Sequence, residues 1–270
     1  TNEPPGMSYR FTMLGCGSSG DNPRVGNDWG KCDPSNPKNR RRRAAALVER
    51  RTPAGVSTVL IDTGPDVREQ LLSVRVKALD GVLYTHDHAD HTHGIDDLRA
   101  ISYMMKRRIP VWFDKPTKAS LLGRFGYCFD GKANGYPAIL KGNLIQAPQP
   151  IEIDGPGGTI KVLPIRQTHG EIDSIAFRFC NVAYSPDVSG IPDESIPLLE
   201  NLDVWIVDAL RHMPHPSHFS LKDALGWIER LKPKRAILTH LLGDLDYDEL
   251  RRELPPGVEP AYDGMTIEFD

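Results

Sequence analysis

The stretch Thr85–Gly94 reads T-H-D-H-A-D-H-T-H-G and holds four of the chain's nine histidines together with two aspartates. Imidazole nitrogen and carboxylate oxygen in this mixture suit zinc, manganese or iron rather than calcium. His86 and His88 are two residues apart, so in an extended segment both rings point the same way. Asp90 and the adjacent His91 project differently and address a second point nearby. A lone histidine is usually a solvated side chain; a cluster this dense at the end of the apolar run Gly81–Tyr84 reads as a metal site. Other apolar runs end in the same kind of residue: Val59–Ile61 at Asp62, Val182–Pro186 at Asp187, Trp205–Val207 at Asp208, and Ile237–Thr239 at His240. Strand ends gathered along one sheet edge are where rigid sites are built.

The elements that must position these residues are legible as short apolar runs separated by turn residues. Tyr9–Leu14 reads as a first strand ending in the loop Gly15-Cys16-Gly17-Ser18-Ser19-Gly20, whose backbone N–H groups and serines suit an anion. Asp21–Asn39 carries no regular pattern. Arg40–Arg43 leads into the strand Ala44–Val48; the run itself reads as a solvated strand entrance with one arginine facing inward, and Arg42 is the candidate phosphate contact. Strands follow at Val59–Ile61, Val111–Phe113, Leu144–Gln146, Ile160–Gln167, Ile175–Cys180, Val182–Tyr184, Val204–Val207, Ala236–Leu238 and Met265–Phe269. Helices are expected at Asp66–Val74, Ile95–Met105, Thr117–Phe125, Pro192–Leu199, Leu221–Leu231 and Asp246–Leu254. Gly126–Gly142 is glycine-punctuated and reads as a mobile flap near the pocket. Thr1–Gly6 reads as an expression-tag remnant, and 7–270 as a single domain with its site between two halves.

Composition narrows the function classes. With 33 Lys+Arg against 36 Asp+Glu, the net charge of −3 argues against a duplex nucleic-acid binder, which needs a broad basic surface. No apolar run is long enough to span a membrane. The start lacks the charged and apolar regions of a secretory signal. The four cysteines are scattered with no C-x-x-C pair, which fits a reducing, cytoplasmic location.

T-H-D-H-A-D-H matches the H-x-H-x-D-H signature of the metallo-β-lactamase superfamily, and His169, Asp187 and His240 follow in the expected order. L-G-C-G-S-S-G, the arginine run, S-P-D-V-S-G-I-P, A-I-L-T-H and Y-D-G-M-T-I-E-F resemble the phosphoribosyl cyclic phosphate phosphodiesterase branch, over essentially Met7–Asp270. The resemblance implies an α/β (α+β) fold, a four-layer αββα sandwich of two mixed β-sheets flanked by helices. It implies two divalent metals, zinc or manganese with iron as a further choice: His86, His88 and His169 on one, Asp90, His91 and His240 on the other, Asp187 bridging. Asp62 and Asp208 would orient ligand imidazoles through their other ring nitrogen, although Asp208 tying down a surface loop is an equal reading. His218 matches the histidine that assists phosphodiester cleavage in this branch; His212 is a candidate substrate contact, and His215 reads as a solvated loop residue. His93 reads as a non-ligand. One departure stands out: Asn27, Trp29 and Cys32 occupy positions where the branch carries cysteines, and Gly243 stands in the region of a late histidine. No structural zinc is therefore expected, and Asp21–Asn39 must be held by packing around Trp29 or be mobile.

The chemistry implied is hydrolysis of a small cyclic or nucleotide-like phosphodiester by a hydroxide held between two metals, with His218 as acid and Asp90 guiding the water's proton. Competing readings are a same-fold hydrolase of a thioester, lactone or β-lactam, a tRNA-processing nuclease, and a non-catalytic nucleotide-binding protein. A small-molecule substrate, no membrane and no duplex partner are expected; a homodimer is compatible with the sequence.

Overall fold

The computed structural model describes residues 5–131 and 135–270. Most of the stretch read as a tag remnant, and 132–134 of the stretch read as a flap, lie outside the described residues. The chain divides into two compact units, one made of Thr1–Leu14, Ala45–Lys161 and Thr266–Asp270, the other of Gly15–Ala44 and Val162–Met265.

The first unit is built on β1 (Ser8–Gly15), β2 (Ala45–Thr52), β3 (Gly55–Ile61), β4 (Gly81–Leu83), β5 (Ile109–Phe113) and β6 (Leu140–Leu144). Helices α1 (Val67–Ser73), α2 (Ala89–Thr92), α3 (Arg99–Met105), α4 (Lys115–Phe125) and α5 (Tyr127–Asp130) belong to it, as does the short strand β7 (Ile151–Ile153). The last strand of the chain, β14 (Thr266–Phe269), returns to this sheet, whose order is β14-β1-β2-β3-β4-β5-β6. Strands β2 and β3 form an antiparallel hairpin that runs from Ala46 opposite Ile61 to Thr52 opposite Gly55, while β3 to β6 are parallel. Parallel strands covered on both faces need continuous apolar runs, and Val82 and Leu83 of β4 are fully buried. Gly81 has to be glycine, because a Cβ there would lie 2.7 Å from the Trp112 ring. The core gathers Leu47, Leu60, Val82, Tyr84, Ile101, Val111 and Phe113.

The second unit carries β8 (Ile160–His169), β9 (Ile172–Phe179), β10 (Val182–Ser185), β11 (Val204–Asp208), β12 (Arg235–Thr239) and β13 (Val258–Pro260), with α6 (Leu221–Leu231) and α7 (Tyr247–Glu253). Its strands lie in the order β13-β12-β11-β10-β9-β8, parallel from β10 to β13 and antiparallel from β10 to β8. Trp205, fully buried on β11, donates its indole N–H to Ser185 Oγ at 3.1 Å, so the ring is buried without stranding its polar atom. Helix α6 opens with a capping box between Ser220 and Asp223 and turns Leu221, Ala224 and Leu231 inward.

Several expected elements shift, each for a local reason. The helix expected over Ile95–Met105 is a 3-10 turn at Ile95–Leu98 followed by α3. Pro192–Leu199 is also 3-10, over Asp193–Leu199; Pro197 inside it has no N–H for an α-helical bond. The strand expected at Leu144–Gln146 lies at Leu140–Leu144 instead, because β5 sets its register from Ile109–Leu140 to Phe113–Leu144. β7 and β13 have three residues each, too few to mark a period.

Arg41 is the inward arginine, with no exposed surface. Its guanidinium donates to Leu242 O at 3.2 Å and Leu245 O at 2.6 Å, and reaches Cys32 Sγ at 3.7 Å. Asn39 donates to Asp246 Oδ1, and Lys31 N donates to Gly243 O. The irregular Asp21–Asn39 segment is thus stitched to the loop ahead of α7 by a buried guanidinium and amides. Trp29, expected to anchor it, is only half-buried and lies under Arg40. Arg41→Met should lower unfolding stability by about 2 kcal/mol, since the buried Leu245 carbonyl loses its guanidinium donor while Leu242 O keeps the Leu245 N–H. Denaturant titration would measure this; a loss below about 1 kcal/mol would show the segment is held elsewhere.

Candidate metal centre and acid–base pair

In the first unit the candidate ligands leave β4 on a segment organised by Asp62. This residue follows β3 with φ +64°, a left-handed conformation that is uncommon outside glycine and that aspartate tolerates better than most side chains. Its Oδ1 accepts from Thr85 N at 2.8 Å, and its Oδ2 accepts from Thr85 Oγ1 at 2.8 Å and from His91 Nδ1 at 2.6 Å. Thr85 Oγ1, having given its proton to Asp62, accepts from His86 Nδ1 at 2.9 Å. One carboxylate therefore sets the tautomers of two rings, so that His86 and His91 present Nε2 as the lone-pair atom. Burial pushes the Asp62 carboxyl up, against the opposing pull of its His91 and Thr85 bonds. Rings of His86 and His88 stand 4.6 Å apart, and those of His86 and His91 4.3 Å apart. Asp90 Oδ2 lies 3.3 Å from His91 Nε2. His93 instead packs its ring edge on Phe125 at 5.6 Å. Asp62→Ala should weaken metal affinity about 10- to 100-fold while leaving the ligands themselves intact. Competition with a chromogenic chelator measures it, and unchanged affinity would sink this role.

In the second unit Asp187 lies among imidazoles. Its Oδ2 is 3.5 Å from His169 Nε2, 3.4 Å from His240 Nε2 and 3.9 Å from His218 Nε2. Its carbonyl accepts from Gln167 Nε2 at 3.0 Å and Ser174 Oγ at 2.6 Å, a pair that faces across β8 and β9. His169 Nδ1 donates to Ser217 O. His240 follows β12 with φ +59°, again a left-handed turn that aims a side chain away from the strand direction. His218 Nδ1 donates to Asp208 Oδ2 at 2.6 Å, and Val188 N donates to the same oxygen at 3.1 Å. The rings of His218 and His240 stack at 4.6 Å. Asp208, His218 and His240 bring ligand-type atoms within 4.8 Å of one another. The direct Asp208–His218 hydrogen bond fixes the Nδ1 proton and leaves Nε2 as the other atom the ring presents.

The donor set fits divalent metal. Within each unit, ligand-type oxygens and nitrogens stand 3.3–3.5 Å apart. Two ligands each ~2.1 Å from a tetrahedral cation are separated by ~3.4 Å.

The other expected contacts are placed as follows. Ser18 is buried and its hydroxyl has no hydrogen-bond partner among the described residues, whereas Ser19 is exposed. Arg42 donates from its backbone N to Asp263 Oδ2 at 2.7 Å and pairs with the same carboxylate through Nε. The backbone N of Cys16 donates to the other oxygen of Asp263, which ties the glycine loop to the arginine run. His212 is half-exposed, 3.9 Å from Glu253. Sequence reasoning missed Thr85, Gln167, Ser174 and Ser217. Thr85 stood inside the motif; the others carry no local signal, because their roles come from cross-strand register and loop packing.

A family model for the β-lactamase superfamily domain matches residues 57–241. An octanoyltransferase of Porphyromonas gingivalis (strain ATCC BAA-308 / W83) is 30% identical over 265 residues, covering 97% of this chain and 52% of that protein. The chain therefore spans about half the length of that curated relative. Among solved structures, a diphosphatase from the PhnP family is 36% identical with a TM-score of 0.87, covering 97% of this chain and 98% of its own. The metallo-β-lactamase fold protein YhfI from Bacillus subtilis is 22% identical with a TM-score of 0.69, covering 97% and 99%.

Proposed function

The chain belongs to the β-lactamase superfamily, in its PhnP-like branch, and from that membership we propose that it is a phosphodiesterase of small cyclic or nucleotide-like phosphodiesters. It has the metallo-β-lactamase fold and is a metal-dependent hydrolase. The observation that carries the finer reading is His218, an imidazole beyond the ligand set, oriented by Asp208 at 2.6 Å and facing Asp187 at 3.9 Å.

In this reading His86, His88 and His169 would hold one divalent metal, Asp90, His91 and His240 would hold the other, and Asp187 would serve both. Two such ions, when bound, lower the pKa of a water toward neutrality and offset the charge that develops on the phosphoryl oxygens. Asp62 and Ser217 O keep His91 and His169 in the tautomer whose Nε2 accepts rather than donates. Asp90 takes up the proton that the water gives away. His218 hands a proton from Nε2 to the departing oxygen, while Asp208 on Nδ1 steadies the charged imidazolium. A cytoplasmic setting belongs to the same proposal; separately, no helix among the described residues is long and apolar enough to cross a membrane.

A second reading is hydrolysis of an acyl thioester, favoured by the octanoyltransferase name of the relative from Porphyromonas gingivalis. That relative is about twice as long, and its acyl transfer is equally at home in the half this chain does not match. Protein purified without chelator, supplied with zinc or manganese, would be offered bis-p-nitrophenyl phosphate, cyclic nucleotides, a nucleoside diphosphate ester and an octanoyl thioester. Metal-dependent cleavage of the phosphorus substrates is expected. Turnover of the thioester alone would replace the phosphodiesterase reading with the second one.

A further inference from the structure

His215 lies outside both the ligand set and the Asp208–His218 couple, and the sequence marks it as no more than a solvated loop residue. The structure holds it firmly. Its loop is closed at the base by Leu210 N donating to Phe219 O and Leu221 N donating to Arg211 O. Across the loop, Arg211 donates to Met213 O and Pro214 O. Ser217 is seated from the other side: its carbonyl takes the His169 Nδ1 proton, and Gly170, at φ +63°, leaves it room, since a Cβ there would come within 2.9 Å of Ser217 Cβ.

Ser217 in turn fixes the His215 ring. The Ser217 backbone N–H donates to His215 Nδ1 at 3.2 Å, with Ser217 Oγ at the same distance. A backbone N–H can only donate, so Nδ1 is the lone-pair nitrogen and the ring proton sits on Nε2. Burial, together with neighbouring His218, Arg211 and His240, holds the His215 pKa below the ordinary histidine value, which keeps this tautomer neutral near pH 7. The ring stands 5.2 Å from that of His218, at 60° to it. Among the described residues, Nε2–H has no acceptor. A half-buried donor held in one tautomer beside the acid–base couple, with nothing among the described residues to receive its proton, is prepared for a ligand oxygen.

We propose that His215 is a substrate-binding residue whose Nε2–H donates to a non-bridging oxygen of the phosphoryl group. The assignment rests on the phosphodiesterase reading above. It gives the two histidines separable tasks: His218 serves the leaving oxygen, and His215 serves an oxygen that stays on phosphorus.

Metal-loaded His215→Ala should show a KM for bis-p-nitrophenyl phosphate raised about tenfold, with kcat within about twofold and metal content unchanged. The loss should be the same for good and poor leaving groups, and His215→Gln, which retains an N–H donor, should recover part of it. A KM equal to wild type, or a loss confined to kcat, would overturn the assignment. Should the wild-type protein cleave no phosphodiester, the functional reading falls by itself. Calorimetric binding of inorganic phosphate to the metal-loaded protein then decides His215: about tenfold weaker binding in the variant supports the donor role, and equal binding refutes it.

Discussion

Asp187→Ala is expected to lose bound metal and to reduce kcat/KM for bis-p-nitrophenyl phosphate by about 10³-fold or more. The carboxylate is almost wholly buried, and one oxygen faces the Nε2 atoms of His169 and His240 at 3.5 and 3.4 Å. Removing it takes a carboxylate away from those rings, while Asp208 beside them is already bonded to His218 Nδ1 and Val188 N. The position is not free to relax, because Gln167 and Ser174 bind its carbonyl and Val188 N is fixed on Asp208. Elemental analysis of the purified variant beside a rate measurement tests both halves of the expectation. Asp187→Asn provides the control for folding, since it keeps the shape and should keep the thermal midpoint. Full activity in Asp187→Ala would end the proposal that this residue is shared by two metals.

His218→Ala should behave differently: a loss of about 10²–10⁴-fold in kcat with metal content nearly unchanged, the range that general acid catalysis commands. The hydrogen bond from Nδ1 to Asp208 fixes the ring so that Nε2 is the atom presented, 3.9 Å from Asp187. The defect should shrink for substrates whose leaving group departs readily as an anion, such as p-nitrophenolate, because such a group has little need of a proton. Asp208→Asn should reproduce part of the loss, since an amide no longer stabilises the imidazolium. Measured against a series of aryl and alkyl phosphodiesters, a loss independent of the leaving group would contradict an acid role. If the variant loses its metal instead, His218 is a ligand, and the close grouping of Asp208, His218 and His240 would need that reading.

The pattern of success in reading the chain follows from how far apart the cooperating residues are. Thr85–Gly94 was legible because its ligands lie within one turn of chain leaving one strand, and the i, i+2 geometry of an extended segment needs no tertiary information. Asp62, Asp187, Asp208 and His240 were legible as candidates because each directly follows an apolar strand. Their partners were not. Asp208 was a candidate equally for orienting a ligand imidazole and for tying down a loop; in the fold its oxygen takes the proton of His218 and the Val188 N–H. His215 looked like a solvated side chain until Ser217, two residues on, was found holding its ring. Arg42 was the arginine chosen from the run for a phosphate; in the fold its nearest acid is Asp263, and the neighbouring Arg41 is the one taken into the interior.

By itself, then, the sequence determined the kind of chemistry: which atoms can bind a divalent metal, at which strand ends they sit, and which family pattern they follow. Tertiary structure decided which carboxylate orients which ring, which arginine becomes a buried tie, and which histidine has a proton to offer. The reason is physical. Donor type is a property of the residue and its nearest neighbours, whereas tautomer and aim depend on hydrogen bonds between residues up to 48 positions apart, as from His169 to Ser217, and on left-handed backbone at Asp62 and His240. No periodicity along the chain encodes those contacts.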